Sequence, residues 1–308
     1  MEVVSNLQHA SAPWRNGAVS IGNFDGVHLG HRSLLEKLLS EARLVQGPAV
    51  VLTFSPHPIQ LLRPGKLPPP LTCLDRKLEL LEAVGVDVCV TYPTTPELLE
   101  LSPKSFFDTI IEEQLAAQAI VEGPNFYFGR DRSGDVQTLA DLCRLAKMRL
   151  HIVEPNLNSG DYISSSRIRQ AITDGDVRLA SRMLDYEYQI RGVVVAGARR
   201  GSTIGFPTAN LEHVETLIPP HGVYAGKAVS DNVTYPAAIH IGPNPTFEDE
   251  RLKLEVHLLD YAGNLYNKPL RVDFTERLRD VFAFDSVEDL VAQLNRDMAS
   301  ARKIFSES

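Results

Sequence analysis

Up to about residue 184 the chain alternates between two apolar rhythms. Short, mostly apolar segments fall at 18–21, 49–54, 86–91, 119–121 and 150–153. Between them, apolar residues recur every three or four positions, as at Leu34, Leu35, Leu38 and Leu39, at 75–84 and at 136–147. The first pattern predicts buried strands and the second amphipathic helices; their alternation predicts βαβ units around a parallel sheet. The punctuation agrees. Gly47-Pro48 stops one helix and Gly85 another, while Ser102-Pro103 supplies a cap and a first helical residue. The stretch 55–70 carries Pro56, Pro58, Pro64, Pro68, Pro69 and Pro70 and reads as a loop.

Around 184–189 the rhythm changes. From there to Phe274 the segments are strand-like, parted by turn residues such as Pro219-Pro220-His221-Gly222 and Gly263-Asn264. A closing amphipathic helix carries Val287, Leu290, Val291 and Leu294 on one face. The expectation is two domains: an α/β domain with a parallel sheet over 1–184, and a mostly antiparallel β domain over 185–308, a small barrel with a terminal helix.

Composition changes this picture little. A chain of 308 residues is long for one domain, and 44% hydrophobic with 23% charged residues supports two cores. The formal charge of −8 argues against nucleic-acid or anionic-membrane partners, which select a basic face, although Mg²⁺ can still bring phosphorylated substrates to an acidic protein. Cys73, Cys89 and Cys143 form no CxxC pair, which points to a reducing compartment and no zinc site. With no secretory pattern after Met1-Glu2 and no spanning apolar run, the cytoplasm is the expected location. Nothing in the pattern sets an oligomeric state.

Two segments carry chemistry. GNFDGVHLGH, residues 22–31, lies between a strand and a helix. Gly22, Gly26 and Gly30 allow tight turns and close backbone approach, and the helix start points N–H groups and a positive dipole end at one spot, a geometry that binds phosphate. His28 and His31 are three apart and can face one way, donating to phosphoryl oxygens. On spacing alone a surface histidine pair fits as well; a zinc reading lacks a third ligand. Ser164 and Ser165 stand where an N-cap belongs, before a helix carrying Ile168, Ala171 and Ile172, with Arg167 or Arg169 able to reach polyphosphate. A plain capped surface helix fits that segment too.

VVVAGARRGSTIGFPTAN, residues 193–210, is the second. Gly197, Gly201 and Gly205, with Arg199 and Arg200, form a loop whose amides can wrap phosphates. Thr208 and Asn210 are two apart, so in extended backbone they offer a hydroxyl and a carboxamide oxygen on one side to a hard cation. Leu252, Leu254, Val256 and Leu258 alternate with Lys253, Glu255 and His257, which turns Glu255 away from the apolar face. There it can take a proton from an attacking hydroxyl, or be merely solvated.

Several strings together resemble a known family. Gly22–His31 is similar to the HxGH signature of the nucleotidyltransferase superfamily, and more narrowly to the N-terminal domain of bacterial bifunctional riboflavin kinase/FMN adenylyltransferases. Glu122-Gly123-Pro124-Asn125-Phe126-Tyr127-Phe128-Gly129-Arg130 looks like that family's flavin- and nucleotide-contacting loop. Ile163-Ser164-Ser165-Ser166-Arg167-Ile168-Arg169 looks like its second phosphate motif. Gly205-Phe206-Pro207-Thr208-Ala209-Asn210 resembles the riboflavin kinase hallmark. His221-Gly222-Val223-Tyr224-Ala225-Gly226, Asn244-Pro245-Thr246-Phe247 and Leu254-Glu255-Val256-His257 follow in order.

The resemblance runs from about Ile21 to Met298. It implies a Rossmann-like adenylyltransferase domain followed by a riboflavin kinase barrel. Riboflavin would be phosphorylated to FMN, and FMN adenylylated to FAD, with ATP consumed and ADP and pyrophosphate released. By the same resemblance Gly22, Phe24, Asp25, His28, Gly30, His31, Ser164, Ser165 and Arg167 would handle the phosphates of one ATP, and Asn125, Phe126 and Phe128 the flavin. Gly201 and Gly205 would lie against the phosphates of the other ATP, Thr208 and Asn210 would hold its Mg²⁺, and Glu255 would be the base. Ser202 stands where many members carry a basic residue; Arg200 is the nearest substitute. Two rivals stay open at this point: an adenylyltransferase for another small phosphate, and a flavin-binding regulator without catalysis.

Overall fold

A computed structural model describes every residue except 6, 8–11, 155–156, 159–160, 198–199, 245–248 and 308; at 157–158, 161, 200, 244, 249–252 and 307 it describes the backbone alone. Residues 245–247 and Arg199, singled out above, therefore lie outside the described residues, as does the side chain of Arg200. The chain forms two compact units, one of residues 1–68 and 74–164, the other of 69–73 and 165–308.

In the first unit six parallel strands form one sheet: β1 (Glu2–Val4), β2 (Ala18–Ile21), β3 (Ala49–Ser55), β4 (Val88–Pro93), β5 (Ala119–Glu122) and β6 (Arg149–Ile152), in the order β1-β4-β3-β2-β5-β6. The expected α/β domain is present, with β1 as an added edge strand that its short length hid. Burial of β2, β3 and β5 explains why they read as mostly apolar segments. Helix Leu29–Val45 follows β2 and buries Leu35, Leu38 and Ala42. Helix Leu74–Val84 buries Leu80 and Leu81 and ends at Gly85, whose φ of +101° favours glycine. Ser102 caps its helix as expected, accepting from the Ser105 N–H with Pro103 behind it. The proline-rich loop differs from expectation by one helical turn, Pro58–Leu62. Pro58 stands at its start, where a missing N–H costs nothing, and the His57 ring accepts from the Ile59 N–H.

The strand order decides where a ligand goes. β2, β3 and β4 run outward in one direction, and the chain then returns to place β5 on the other side of β2. That reversal opens a crevice at the carboxyl ends of β2 and β5, the usual binding place in an open α/β sheet.

The second unit is a closed antiparallel barrel, as the turn spacing suggested. After a short ribbon of the first unit, β7 (Leu157–Asn158) and β8 (Asp161–Tyr162), come β9 (Tyr188–Val195), β10 (Ala209–Glu212), β11 (Gly222–Ser230), β12 (Val233–Asn244), β13 (Asp249–Leu258) and β14 (Pro269–Arg279). Their order around the barrel is β10-β13-β12-β11-β14-β9. Tyr188, Tyr224 and Phe274 fill its interior, and the two buried hydroxyls donate to the carbonyls of Leu217 and Pro220. The terminal helix Val287–Glu307 packs on β11, β12 and β14, anchored where Arg279 forks onto the buried Asp297 carboxylate at 2.8–3.2 Å. Helices Ser165–Thr173 and Val177–Leu184 belong to this unit, the latter burying Val177, Ala180, Met183 and Leu184. No helix among the described residues is long and apolar enough to cross a membrane.

Candidate active sites

The loop of residues 22–28 leaves the carboxyl end of β2 at the sheet's crevice. Phe24 and Val27 are buried and pin it, although both hold positive φ, +46° and +36°, which costs energy for side-chain-bearing residues. Asp25 is buried beside them. His28 is the N-cap of helix Leu29–Val45, its Nδ1 accepting from the His31 N–H at 3.3 Å, so a neutral ring carries its proton on Nε2. The two imidazoles stack with centroids 3.7 Å apart at 14°. Gly30 permits this: a Cβ there would lie 3.2 Å from the His28 ring. Burial, then the nearby charges of His28 and Lys77, hold the His31 imidazole well below its ordinary pKa. His31 Nδ1 is buried without a hydrogen-bond partner among the described residues, as befits a group that awaits a ligand.

The same would-be Cβ of Gly30 meets the Ile163 carbonyl at 3.3 Å, so the residue just before Ser164 lies beside the first loop. Ser164 stands at the cap position and Ser165 and Arg167 in the first turn of helix Ser165–Thr173; all three are half-buried. At the end of β5, on the crevice's other side, the loop of residues 123–130 divides its aromatics. Phe128 is core, bridged to Gly134 by a pair of backbone bonds, and Phe126 stacks on it at 5.4 Å, half-buried, with Asn125 exposed. The loop's accessible side therefore presents Phe126 and Asn125, with Phe128 buried behind them.

Reading by motif passed over Glu122 as a functional group. The β2–β5 ladder pairs Ala18 with Ala119 and Val19 with Ile120 and goes no further. The buried Glu122 carboxyl takes over, accepting the Ile21 N–H at 2.6 Å and so fixing the end of β2 from which the loop departs. Burial raises this carboxyl well above the ordinary range, against the opposing Ile21 hydrogen bond. The available signal was a glutamate ending an apolar strand.

In the barrel, register assembles the second site. Asn210 on β10 stands directly opposite Glu255 on β13, and Glu255 directly opposite His240 on β12. Directly opposed residues share a face with Cβ atoms about 5 Å apart, so carboxamide, carboxylate and imidazole form one row on the outer wall. Ala209, Val256 and Ile239 face inward and are buried. Burial lowers the His240 pKa; the charge of Glu255 opposes that shift, and Nε2 bonds the Pro243 carbonyl at 3.1 Å. Thr208 is exposed and on the same side as Asn210.

The preceding loop folds against these residues. Phe206 N–H bonds the Gly201 carbonyl at 2.8 Å, and a Cβ on Gly201 would stand 2.3 Å from the Phe206 carbonyl oxygen. Gly205 turns with a φ of +88°. His257, on the same side of β13 as Glu255, holds the Pro207 carbonyl at 2.6 Å through Nδ1. Ser202 is exposed. A cavity of about 150 Å³ opens beside Thr208, lined by Val194, Leu258, Tyr261 and Tyr266 among others. Among the described residues no group of three or more His, Cys, Asp or Glu side chains is arranged to hold a metal. The neutral oxygens of Thr208 and Asn210 are of the kind a hard cation accepts.

Known proteins show the same pairing of units. The family model described as FAD synthetase matches residues 10–167, and that described as riboflavin kinase matches 184–305. The bifunctional riboflavin kinase/FMN adenylyltransferase of Escherichia coli (strain K12) is 34% identical over 307 residues, covering 99% of this chain and 98% of that protein. Its namesake in Bacillus subtilis (strain 168) is 35% identical, covering 94% and 92%. A solved structure described as a macrolide-efflux protein from Streptococcus pneumoniae superposes with a TM-score of 0.86 at 32% identity, covering 97% of this chain and 98% of that one.

Proposed function

The chain belongs to the bifunctional riboflavin kinase/FMN adenylyltransferase family, and from that premise we propose how its two sites divide the work. It is an enzyme of flavin cofactor biosynthesis, phosphorylating riboflavin to FMN and adenylylating FMN to FAD. The barrel row carries the first reaction. Glu255 takes the proton of the riboflavin 5′-hydroxyl as that oxygen attacks the γ-phosphorus of ATP, and ADP leaves. Asn210 and Thr208 would hold a Mg²⁺ ion brought by the nucleotide, and that ion would neutralise charge on the triphosphate. His257 holds the loop through Pro207, which keeps Thr208 in place.

The sheet crevice carries the second reaction. The FMN phosphate is already an anion, so its attack on the α-phosphorus of ATP needs no general base. Leu29–His31 backbone, His28 and His31 receive the phosphates, and Ser164 the departing pyrophosphate. Phe126 and Asn125 meet the flavin.

The observation that carries the assignment is the opposition of Asn210 and Glu255 across β10 and β13. The test is Glu255→Gln, which keeps shape and hydrogen bonding but removes the base. Chromatography of riboflavin, FMN and FAD after timed incubation with ATP and Mg²⁺ is expected to show riboflavin phosphorylation down about 10²-fold or more. FAD formation from supplied FMN is expected to stay near wild type. Loss of that second activity in a folded variant would show that the two sites are not separate.

A further inference from the structure

A polyphosphate entering the sheet crevice needs standing positive charge, and the loop supplies little. His31 is held in its neutral form by burial and by its neighbours, and the loop carries the buried carboxylate-bearing residue Asp25. Topology brings a cation from elsewhere. β2, β3 and β4 are adjacent and parallel in that order. Right-handed crossovers therefore lay the helices between them on one face, with both N-termini at the carboxyl edge of the sheet. Helices Leu29–Val45 and Leu74–Val84 do pack together. Lys77 lies in the first turn of the second helix, three and four residues before the buried Leu80 and Leu81. That spacing puts it on the inward stripe, and it is half-buried.

Its electrostatic neighbours are Asp25 and Cys89, and it acts in turn on His31. Burial raises the Cys89 thiol to about 11, so this sulfur is uncharged at neutral pH. The ammonium thus lies within electrostatic reach of both the His31 ring and Asp25. Lysines are normally solvated outside helices' inward stripes, because burying an ammonium is costly. Here a ligand anion would repay that cost.

We propose that Lys77 is a polyphosphate-binding residue of the adenylyl-transfer site, its ammonium meeting the pyrophosphate that leaves ATP. The FMN phosphate oxygen bonds to the α-phosphorus as the bond to the α–β bridging oxygen breaks, and that oxygen departs with the electron pair. Lys77 donates hydrogen bonds to the departing anion and keeps its proton. The inference rests on reading the crevice as the adenylyl-transfer site.

The full-length protein with Lys77→Met and Lys77→Arg tests it. With Met, FAD formation from FMN and ATP is expected to fall at least tenfold and inhibition by added pyrophosphate to weaken at least tenfold, with riboflavin phosphorylation within twofold of wild type. Arg is expected to restore part of the pyrophosphate response, because it restores the charge. In the wild-type protein, titration with pyrophosphate is expected to shift the Lys77 side-chain NMR resonance, a readout that does not depend on how the variants fold. Unchanged FAD formation and pyrophosphate inhibition in a folded Met variant, or an unmoved Lys77 resonance at saturating pyrophosphate, would overturn the proposal. Failure of the wild-type protein to make FAD from FMN would instead overturn the reading of the crevice itself.

Discussion

Gly197→Ala is a sensitive probe of the kinase site because the substitution acts by contact alone. Gly197 does not hold positive φ, so alanine's backbone preferences are satisfied there. The added Cβ, however, would stand 2.1 Å from Asn210 Nδ2, 2.6 Å from its Cγ and 2.9 Å from its Oδ1. Favourable contact begins at about 3.5 Å. The carboxamide must therefore swing away by roughly 1 Å or more, and it is the cheapest group to move because Asn210 is half-buried and its strand is fixed by ladders to β9 and β13. Misplacing a catalytic group by about 1 Å costs on the order of 10²-fold in rate. Riboflavin phosphorylation is therefore expected to fall about 10²-fold, while FAD formation from FMN keeps its wild-type rate. Initial rates for the two steps, measured on one preparation by chromatography, give both numbers, and a thermal melt establishes folding. A folded Gly197→Ala protein that phosphorylates riboflavin within threefold of wild type would refute the role given to Asn210.

Two further outcomes follow from packing and burial. Because the Glu122 carboxyl is raised when folded, its contribution to stability is full below the unfolded carboxylate pKa of about 4.3 and is lost as pH rises toward the folded value. Glu122→Gln keeps an acceptor for the Ile21 N–H without that loss, so its melting temperature is expected to exceed wild type at pH 8 but not at pH 4; equal melting temperatures at pH 8 would contradict the burial argument. A fragment beginning at Ser165 retains the helix whose Val177, Ala180, Met183 and Leu184 are buried in the barrel unit. It is expected to melt higher than a fragment beginning at Asp185, and equal melting temperatures would show that the helix adds nothing to the barrel.

What the sequence by itself determined is local. Apolar runs and their punctuation specify strands, helices and caps, because these depend on neighbours within a turn or a pleat: Ser102 caps and Gly85 stops where their chemistry requires. The change of rhythm at 184–189 marks the entry into the barrel for the same reason, since alternation with short turns suits antiparallel pairing. Spacing alone made the glycine-rich strings candidate ligand loops beside plainer readings, and it turned Glu255 outward.

Tertiary structure decided what depends on distant pairing. That Asn210 faces Glu255, and Glu255 faces His240, is a property of register between strands far apart in the chain, which no periodicity encodes. Glu122 read as the first residue of a contacting loop, whereas the fold makes it the end of β5 and buries it against the Ile21 amide. That Phe128 is buried, bridged to Gly134, while Phe126 is only half-buried, is set by packing and not by their shared motif. Lys77 carried no motif at all; its meaning comes from the crossovers that lay one helix start beside another. Burial and electrostatic environment are set by the whole fold, so a side chain's type is written in the sequence while its charge and its partner are set by what packs around it.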